Sequence, residues 1–547
     1  MSADGGRMDP DVLIVGAGFA GLYMLHRLRS LGFRAVVLEA GGGVGGTWHW
    51  NRYPGARCDI ESTQYSYQFS PELEQDWCWS ERYATQAEIL SYANHVADRF
   101  DLRRDIELGA RVVRAEFDER MGTWTLSTLT GRRYTAPYCI MATGCLSAPN
   151  RPAIDGLDDF AEAYHTAEWP HDGVDFAGRR VAVIGTGSSA IQAIPVIARQ
   201  AKAVTVFQRT ANYSVPARNI LLPPSIQAGI KATYRQLRAR AKLNPTGVLF
   251  DSSPEKALET TAERRDREYE RRWQRGGLTF LGAFSDLLLD EAANRTASEF
   301  VRAKIRAVVK DPAVAETLQP PTIIGGRRLC VDMGYYETYN LGNVTLVDVA
   351  HQPIERITRQ GVVVAGHEHA ADVIVLATGF DAMTGALNRI DIRGRGGLTL
   401  KDKWRNGPLS YLGLAVAGFP NLFTITGPGS PSVLTNMLPS IEHHVEWIGD
   451  CLAAISASRR TVIEAQGGAE AAWVAHVADV AAGTLRAHER SWYVGANVPG
   501  KPRVFMPYSG GFPRYAERCD EVAVNGYEGF TLADAEASWA DAEAITA

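Results

Sequence analysis

VLIVGAGFAGLYMLHRLRSLGFRAVVLE, residues 12–39, decides the fold. An apolar run, VLIV, leads into a turn with glycine at 16, 18 and 21. Beyond it Leu22, Leu25, Leu28 and Leu31 recur at helical spacing, so the turn opens a helix. A second apolar run, AVVL at 35–38, ends on Glu39, 18 residues past Gly21. Strand, glycine turn, helix, strand and acid at that separation form a dinucleotide-binding βαβ unit. Gly16 permits the tight turn, Gly18 lets the backbone approach a pyrophosphate, and Gly21 lets the helix lie close to the strand. The helix N-terminus offers unpaired N–H groups to the phosphate. Glu39 is placed to accept hydrogen bonds from ribose hydroxyls.

The pattern returns once. VAVI at 181–184 leads into GTGSSA at 185–190, and a strand, AVTVFQ, follows at 203–208. Ala190 replaces the third glycine, a change the motif tolerates because a methyl still packs. At the end of this strand stand Arg209 and Thr210 in place of an acid. An acid suits a free 2′-hydroxyl and an arginine suits a 2′-phosphate, so the second site is expected to prefer NADPH. Two motifs predict two nucleotides, FAD at the first and NADPH at the second. CIMATG at 139–144 and VIVLATG at 373–379 resemble the strands that return the chain between two nucleotide domains. GGGVGG at 41–46, with Thr47 and Trp48 after Gly46, extends the first phosphate region.

Composition sets the bounds around these motifs. The chain has 547 residues, 46% hydrophobic and 22% charged, which is ordinary globular usage. Its 52 glycines exceed the roughly 38 that an average ~7% usage gives. A net charge of −5 argues against a nucleic acid partner. No apolar run nears the roughly 18 residues that span a bilayer, and MSADGGRMDP has no leader-type apolar region. The seven cysteines are scattered, with no closely spaced redox pair and no metal-type spacing. A cytoplasmic setting and no metal are expected.

The expected architecture is α/β, with two Rossmann-like domains and a helical insertion. The FAD domain takes residues 1–150 and 381–547, and the NADPH domain 151–222 and 323–380. Residues 223–322, rich in Ala, Arg and Glu, form the insertion. Ser253-Pro254 and Asp311-Pro312 are expected as helix starts. Phe300, Val301, Ile305, Val308 and Val309 fit one helix face.

Six further stretches carry a family resemblance: GGTWHWNRYPGARCDIES (45–62), VIGTGSSAIQ (183–192), FQRTANYSVPARN (207–219), ATGFDAMTGAL (377–387), GPGSPSVLTNM (427–437) and SWYVGANVPGKPRVFM (491–506). Before the second glycine turn stand Phe160, His165, Trp169 and Pro170. They match the signature F-x-G-x-x-x-H-x-x-x-W-P/D, with the Phe-to-His interval one residue short and its glycine missing. The chain thus resembles the class B flavin monooxygenases of the Baeyer–Villiger type, and within them the phenylacetone and steroid monooxygenase branch. That resemblance implies an NADPH- and O₂-dependent flavoenzyme that converts ketones to esters or lactones through a C4a-peroxyflavin, with sulfoxidation as a side activity. It also implies that NADP⁺ stays bound through turnover.

A peroxide anion needs a nearby cation that does not lose its proton, and arginine meets that need. The resemblance places this role on Arg328 in GGRRLC, with Arg327 on the NADPH phosphate. It gives Arg328 a partner in Asp59, which also lies at the flavin edge. Gly185, Thr186, Gly187, Ser188, Ser189 and Gln192 fall to the NADPH site, and Trp492 holds NADP⁺ in place. Ser432, Val433 and Leu434 match a substrate-facing bulge, closed by Met437 beside the cofactor. Small and apolar side chains there suit an aryl, cyclic or steroid-like ketone. The expected partner is that small ketone, and the expected assembly a monomer or weak homo-oligomer. Three other readings compete: an N- or S-oxygenating flavin monooxygenase, a disulfide reductase that would need a paired dithiol, and a non-catalytic flavin sensor.

Overall fold

A computed structural model describes residues 9–534. Residues 1–8, part of the stretch read for a leader, lie outside the described residues. The strand Val12–Val15 is apolar throughout and buried on both faces, as a central parallel strand must be. It pairs in parallel with Ala35–Leu38 on one side (Val12 opposite Ala35) and Tyr138–Met141 on the other (Val12 opposite Tyr138). Ile106–Glu107 closes one edge, and Leu422–Thr424, from far along the chain, closes the other. The helix Phe19–Ser30 covers this sheet and packs against the long helix Met437–Ala457.

The second sheet has the strand order Val344–Asp348, Ala203–Gln208, Arg180–Ile184, Val373–Leu376, Ala163–His165, all parallel. Its last strand lies in the shortened signature: Ala163 pairs with Ile374 and His165 with Leu376. Phe160, just before it, is buried with Ala182, Ile184 and Phe207. A separate sheet joins Asp391–Arg393 to Val112–Asp118, Thr123–Thr128 and Arg133–Ala136. Both ATG segments therefore end strands of the two nucleotide-type sheets.

Between 223 and 322 the structure is helical: Pro224–Ala232, Tyr234–Lys242, Ala262–Arg275, Glu291–Val308 and Pro312–Thr317. In Glu291–Val308, Val301 and Ile305 are fully buried, with Phe300 and Val308 half-buried beside them. Val309 is buried but caps the helix rather than belonging to it. Asp311 starts the last helix as expected, its carboxylate accepting the N–H groups of Ala313 and Val314. Ser253-Pro254 does not start one. The Ser253 hydroxyl accepts the N–H of Glu255 at 3.2 Å in a turn, and the next helical residue is Ala257. Ser-Pro serves turns as readily as helix starts, and the residues after it have no helical periodicity. Among the described residues, no helix is long and apolar enough to cross a membrane.

Candidate active site

The first glycine turn is built without slack. Gly16 has φ +105°, and a side chain there would meet the Ala142 carbonyl at 2.7 Å. A side chain at Gly21 would come within 1.8 Å of the Gly16 oxygen, so helix and strand touch backbone to backbone. Gly46, at φ +52°, stacks on Gly18, leaving 2.8 Å to its Cα for any side chain. The 41–46 loop is thus pressed onto the turn, and Gly45 donates its N–H to the Ala17 carbonyl at 2.9 Å. Glu39 is buried. Its oxygens accept the N–H groups of Ala17 (2.6 Å) and Gly41 (2.7 Å). Burial raises its pKa above the usual carboxylate value, against those hydrogen bonds. Glu39 therefore ties the glycine turn to the next loop.

The second turn repeats the geometry with one opening. Gly185 has φ +110° and lies against the Ala377 carbonyl, while Ala190 is fully buried. Around Gly187 there is no atom within 4 Å of where a side chain would go. The Thr186 hydroxyl donates to the Thr210 carbonyl at 2.9 Å, and the Ser188 hydroxyl meets the Cys330 thiol at 3.1 Å. Gln192 accepts from the Tyr53 hydroxyl at 2.8 Å and donates to the Arg57 carbonyl at 3.1 Å. Its amide joins the two glycine-turn regions.

Both regions open into one cavity of about 890 Å³. Thr47, Trp48 and Asp59 line it from the first side, and Ser189, Arg209 and Thr210 from the second. Arg327, Arg328, Val433, Met437 and Trp492 also line it. Gly16, Gly18 and Gly21 of the first turn, with Glu39 and Gly46 packed against it, do not line this cavity. Ser432 is buried, with its hydroxyl toward the Met383 sulfur at 3.7 Å. Leu434 packs, half-buried, on the cluster of Met383, Tyr493 and Phe505. Of the expected three-residue bulge, only Val433 faces the cavity.

Arg328 is the best-anchored charge in this space. Its Nε and Nη2 donate to the two Asp59 oxygens at 2.8 and 2.7 Å, and its Nη1 to the Val433 carbonyl at 2.6 Å. Burial works against the charge, but the Asp59 carboxylate outweighs it and raises the Arg328 pKa above the ordinary value. Arg327 beside it differs. One nitrogen donates to the Arg490 carbonyl at 3.0 Å, but its buried Nε has no partner. Burial lowers its pKa; the nearby Glu489 carboxylate opposes that shift, and the charge of Arg209 adds to it. Arg209 is exposed on the cavity wall. Two neighbouring cations and an orphaned donor fit a dianion such as a 2′-phosphate.

His165 lies outside the cavity. Its Nδ1 accepts the Ala167 N–H at 3.1 Å, so Nε2 carries the proton and faces the Thr378 hydroxyl at 3.2 Å. That hydroxyl in turn donates to the Asn150 carbonyl at 2.7 Å. Burial, then the charge of Arg151, pushes the ring down to about 4. Trp169 is buried in the second core and Pro170 is half-buried beside it. The signature residues thus fasten the linker at Asn150 to the second ATG turn.

Two further features shape the cavity without a local sequence motif. Tyr53 reaches Gln192, and the segment around Trp492 is strapped down by residues not singled out. Lys501 donates to Asp381 at 2.5 Å and to the Ala382 carbonyl at 2.6 Å, and Asn497 donates to the Phe380 carbonyl at 2.7 Å. Both Asn497 and Lys501 belong to SWYVGANVPGKPRVFM, a stretch whose sequence names no partner for either. All seven cysteines are free, and none forms a dithiol pair in the cavity.

Residues 13–264 match the pyridine nucleotide-disulphide oxidoreductase family model. The chain is 43% identical to phenazine N-monooxygenase PhzNO1 of Lysobacter antibioticus, over 95% of this chain and 97% of that one. It is 42% identical to a Baeyer-Villiger monooxygenase of Pseudooceanicola batsensis, over 95% of each. Among solved structures, an oxidized steroid monooxygenase bound to NADP superposes with a TM-score of 0.92, at 52% identity, covering 96% of this chain and all of that one. With the double nucleotide turn, the paired arginine and these full-length likenesses, the chain belongs to the class B flavin monooxygenases of the Baeyer–Villiger type.

Proposed function

We propose that this flavoenzyme uses FAD, NADPH and O₂ to insert one oxygen atom beside a ketone carbonyl, giving an ester or lactone. The observation that carries this reading is Arg328, fixed by Asp59 and the Val433 carbonyl, facing the shared cavity. When bound, the flavin and nicotinamide supply the electrons that reduce O₂ and deliver one of its atoms. Gly16, Gly18, Gly46 and Glu39 hold the FAD pyrophosphate and ribose, with Thr47 and Trp48 on the flavin side. Gly185, Gly187, Ser188 and Ser189 cradle the NADPH pyrophosphate, and Arg209, Thr210 and Arg327 take its 2′-phosphate. Trp492 and Met437 cover the nicotinamide end.

Arg328 supplies a permanent positive charge where negative charge develops on oxygen. At about 4 Å and an effective dielectric of ~20, such a charge is worth about 4 kcal/mol before desolvation. Val433 and Met437 give an apolar wall for a ketone of aryl, cyclic or steroid-like bulk. The domain division at 150, 222, 322 and 380 goes with this reading.

A second reading, oxygenation of nitrogen or sulfur, is favoured by the 43% likeness to a phenazine N-monooxygenase. The deciding experiment supplies purified holoenzyme with NADPH and O₂ and offers aryl, cyclic and steroid ketones beside phenazines and sulfides. Esters or lactones by product mass support the first reading. N- or S-oxides with no ester from any ketone establish the second.

A further inference from the structure

The triple glycine at 41–43 has a second side. There a separate cavity of about 510 Å³ is lined by Gly41, Gly43, His49, Trp50, Arg52, Leu90 and His171, among others. We propose that this second cavity binds a phosphate-bearing small molecule, with Arg52, His49 and His171 as its donors.

His49 lies flat on the glycine loop. Side chains at Gly41 and Gly43 would come within 3.0 and 3.1 Å of its ring, so glycine at both positions makes the room. The residue is only 6% exposed. Among the described residues, neither ring nitrogen has a hydrogen-bond partner. His171 faces it with ring centroids 4.9 Å apart. The His49 carbonyl accepts the Arg52 Nε at 2.8 Å and so aims the guanidinium. Among the described residues, no carboxylate pairs with Arg52, and no acidic side chain lines the cavity. Asn94, also on the wall, is already engaged with Leu90 and Arg103.

One fixed cation and two imidazoles without a counter-ion favour an oxyanion. The same guanidinium opposes a metal ion on the two imidazoles. Burial, then the charges of His171 and Arg52, pushes the His49 ring down to about 4. An arriving dianion reverses the charge balance and lets the ring take up a proton. The volume exceeds that of inorganic phosphate, and Trp50 and Leu90 offer apolar contact to an organic body. The short helix Thr47–Trp50 is a shared wall. It gives Thr47 and Trp48 to the active-site cavity, and His49 and Trp50 to this one.

The test is calorimetric titration of the FAD holoenzyme at constant ionic strength, saturated with NADP⁺ so that Arg209 and Arg327 are occupied. Inorganic phosphate should bind at one equivalent, and phenyl phosphate at least threefold more tightly. Arg52→Gln should weaken both at least tenfold, while Arg209→Ala leaves them unchanged. His171→Gln, at an exposed position, should weaken both severalfold and carries the test if the Arg52 variant does not fold. Absence of binding, equal affinity in all variants, loss only in Arg209→Ala, or phenyl phosphate no tighter than phosphate overturns the proposal. Ketone turnover plays no part in this readout.

Discussion

Arg328 and Asp59, 269 positions apart, meet in a two-point ion pair of 2.8 and 2.7 Å. Each side chain keeps about a quarter of its surface exposed (24%) on the cavity side. The pair is therefore more than a surface bridge and less than a sealed one. Asp59→Asn should cost about 1–3 kcal/mol of stability, between those two limits. It should also lower ketone turnover about 10²-fold, because the guanidinium loses its bearing. Thermal unfolding and kcat with one ketone check both parts. An unchanged kcat would remove Asp59 from the mechanism.

Arg209 should discriminate between nicotinamide cofactors. A charge-assisted contact to the 2′-phosphate is worth about 1.5–3 kcal/mol. Arg209→Ala should therefore raise the NADPH KM about 10- to 100-fold and change the NADH KM by less than about threefold. Equal effects on both would sink the 2′-phosphate assignment.

The loop pressed onto the first glycine turn should not tolerate a methyl at Gly46. At Gly46, Cβ would meet the Gly18 backbone at 2.8 Å with φ at +52°. Gly46→Ala should yield protein that retains FAD poorly, read as the ratio of flavin to protein absorbance. Full flavin occupancy would show that the loop has room to move.

Acid should act partly through His165. Its folded value, about 4, lies below the ordinary 6.5. The unfolded chain thus takes the proton first, so this stability is present above about 6.5 and lost as pH falls toward 4. The contribution is at most about 3 kcal/mol. His165→Gln should flatten the fall in Tm between pH 6.5 and 4 while leaving ketone activity within severalfold. A loss of activity beyond 10²-fold with unchanged Tm would make this residue catalytic.

Local patterns carried much of this into the sequence. The strands at 12–15, 35–38 and 203–208 were legible to the residue, since apolar runs ended at glycine or charge. The Arg209 substitution was legible for the same reason. Long-range partners were not. Nothing in a linear chain aims Gln192 at Tyr53, or Lys501 at Asp381. The Arg328–Asp59 pair was reached only through the family resemblance. Ser432 shows the opposite limit. Val433 beside it lines the cavity, but Ser432, at φ +42°, has its hydroxyl against the Met383 sulfur in the core. The GGGVGG loop was read for the cofactor side alone, and the packing of His49 on its other face had no sequence signature.

The most direct test of the account compares ketone and sulfide oxygenation by wild-type and Arg328→Ala holoenzyme under identical NADPH and O₂. Removing a preorganised donor from such a site costs about 10²–10³ in rate. Ester formation should fall by that factor, while sulfoxide formation falls less than about tenfold. Equal losses on both substrates, or undiminished ester formation, would contradict the role given to Arg328.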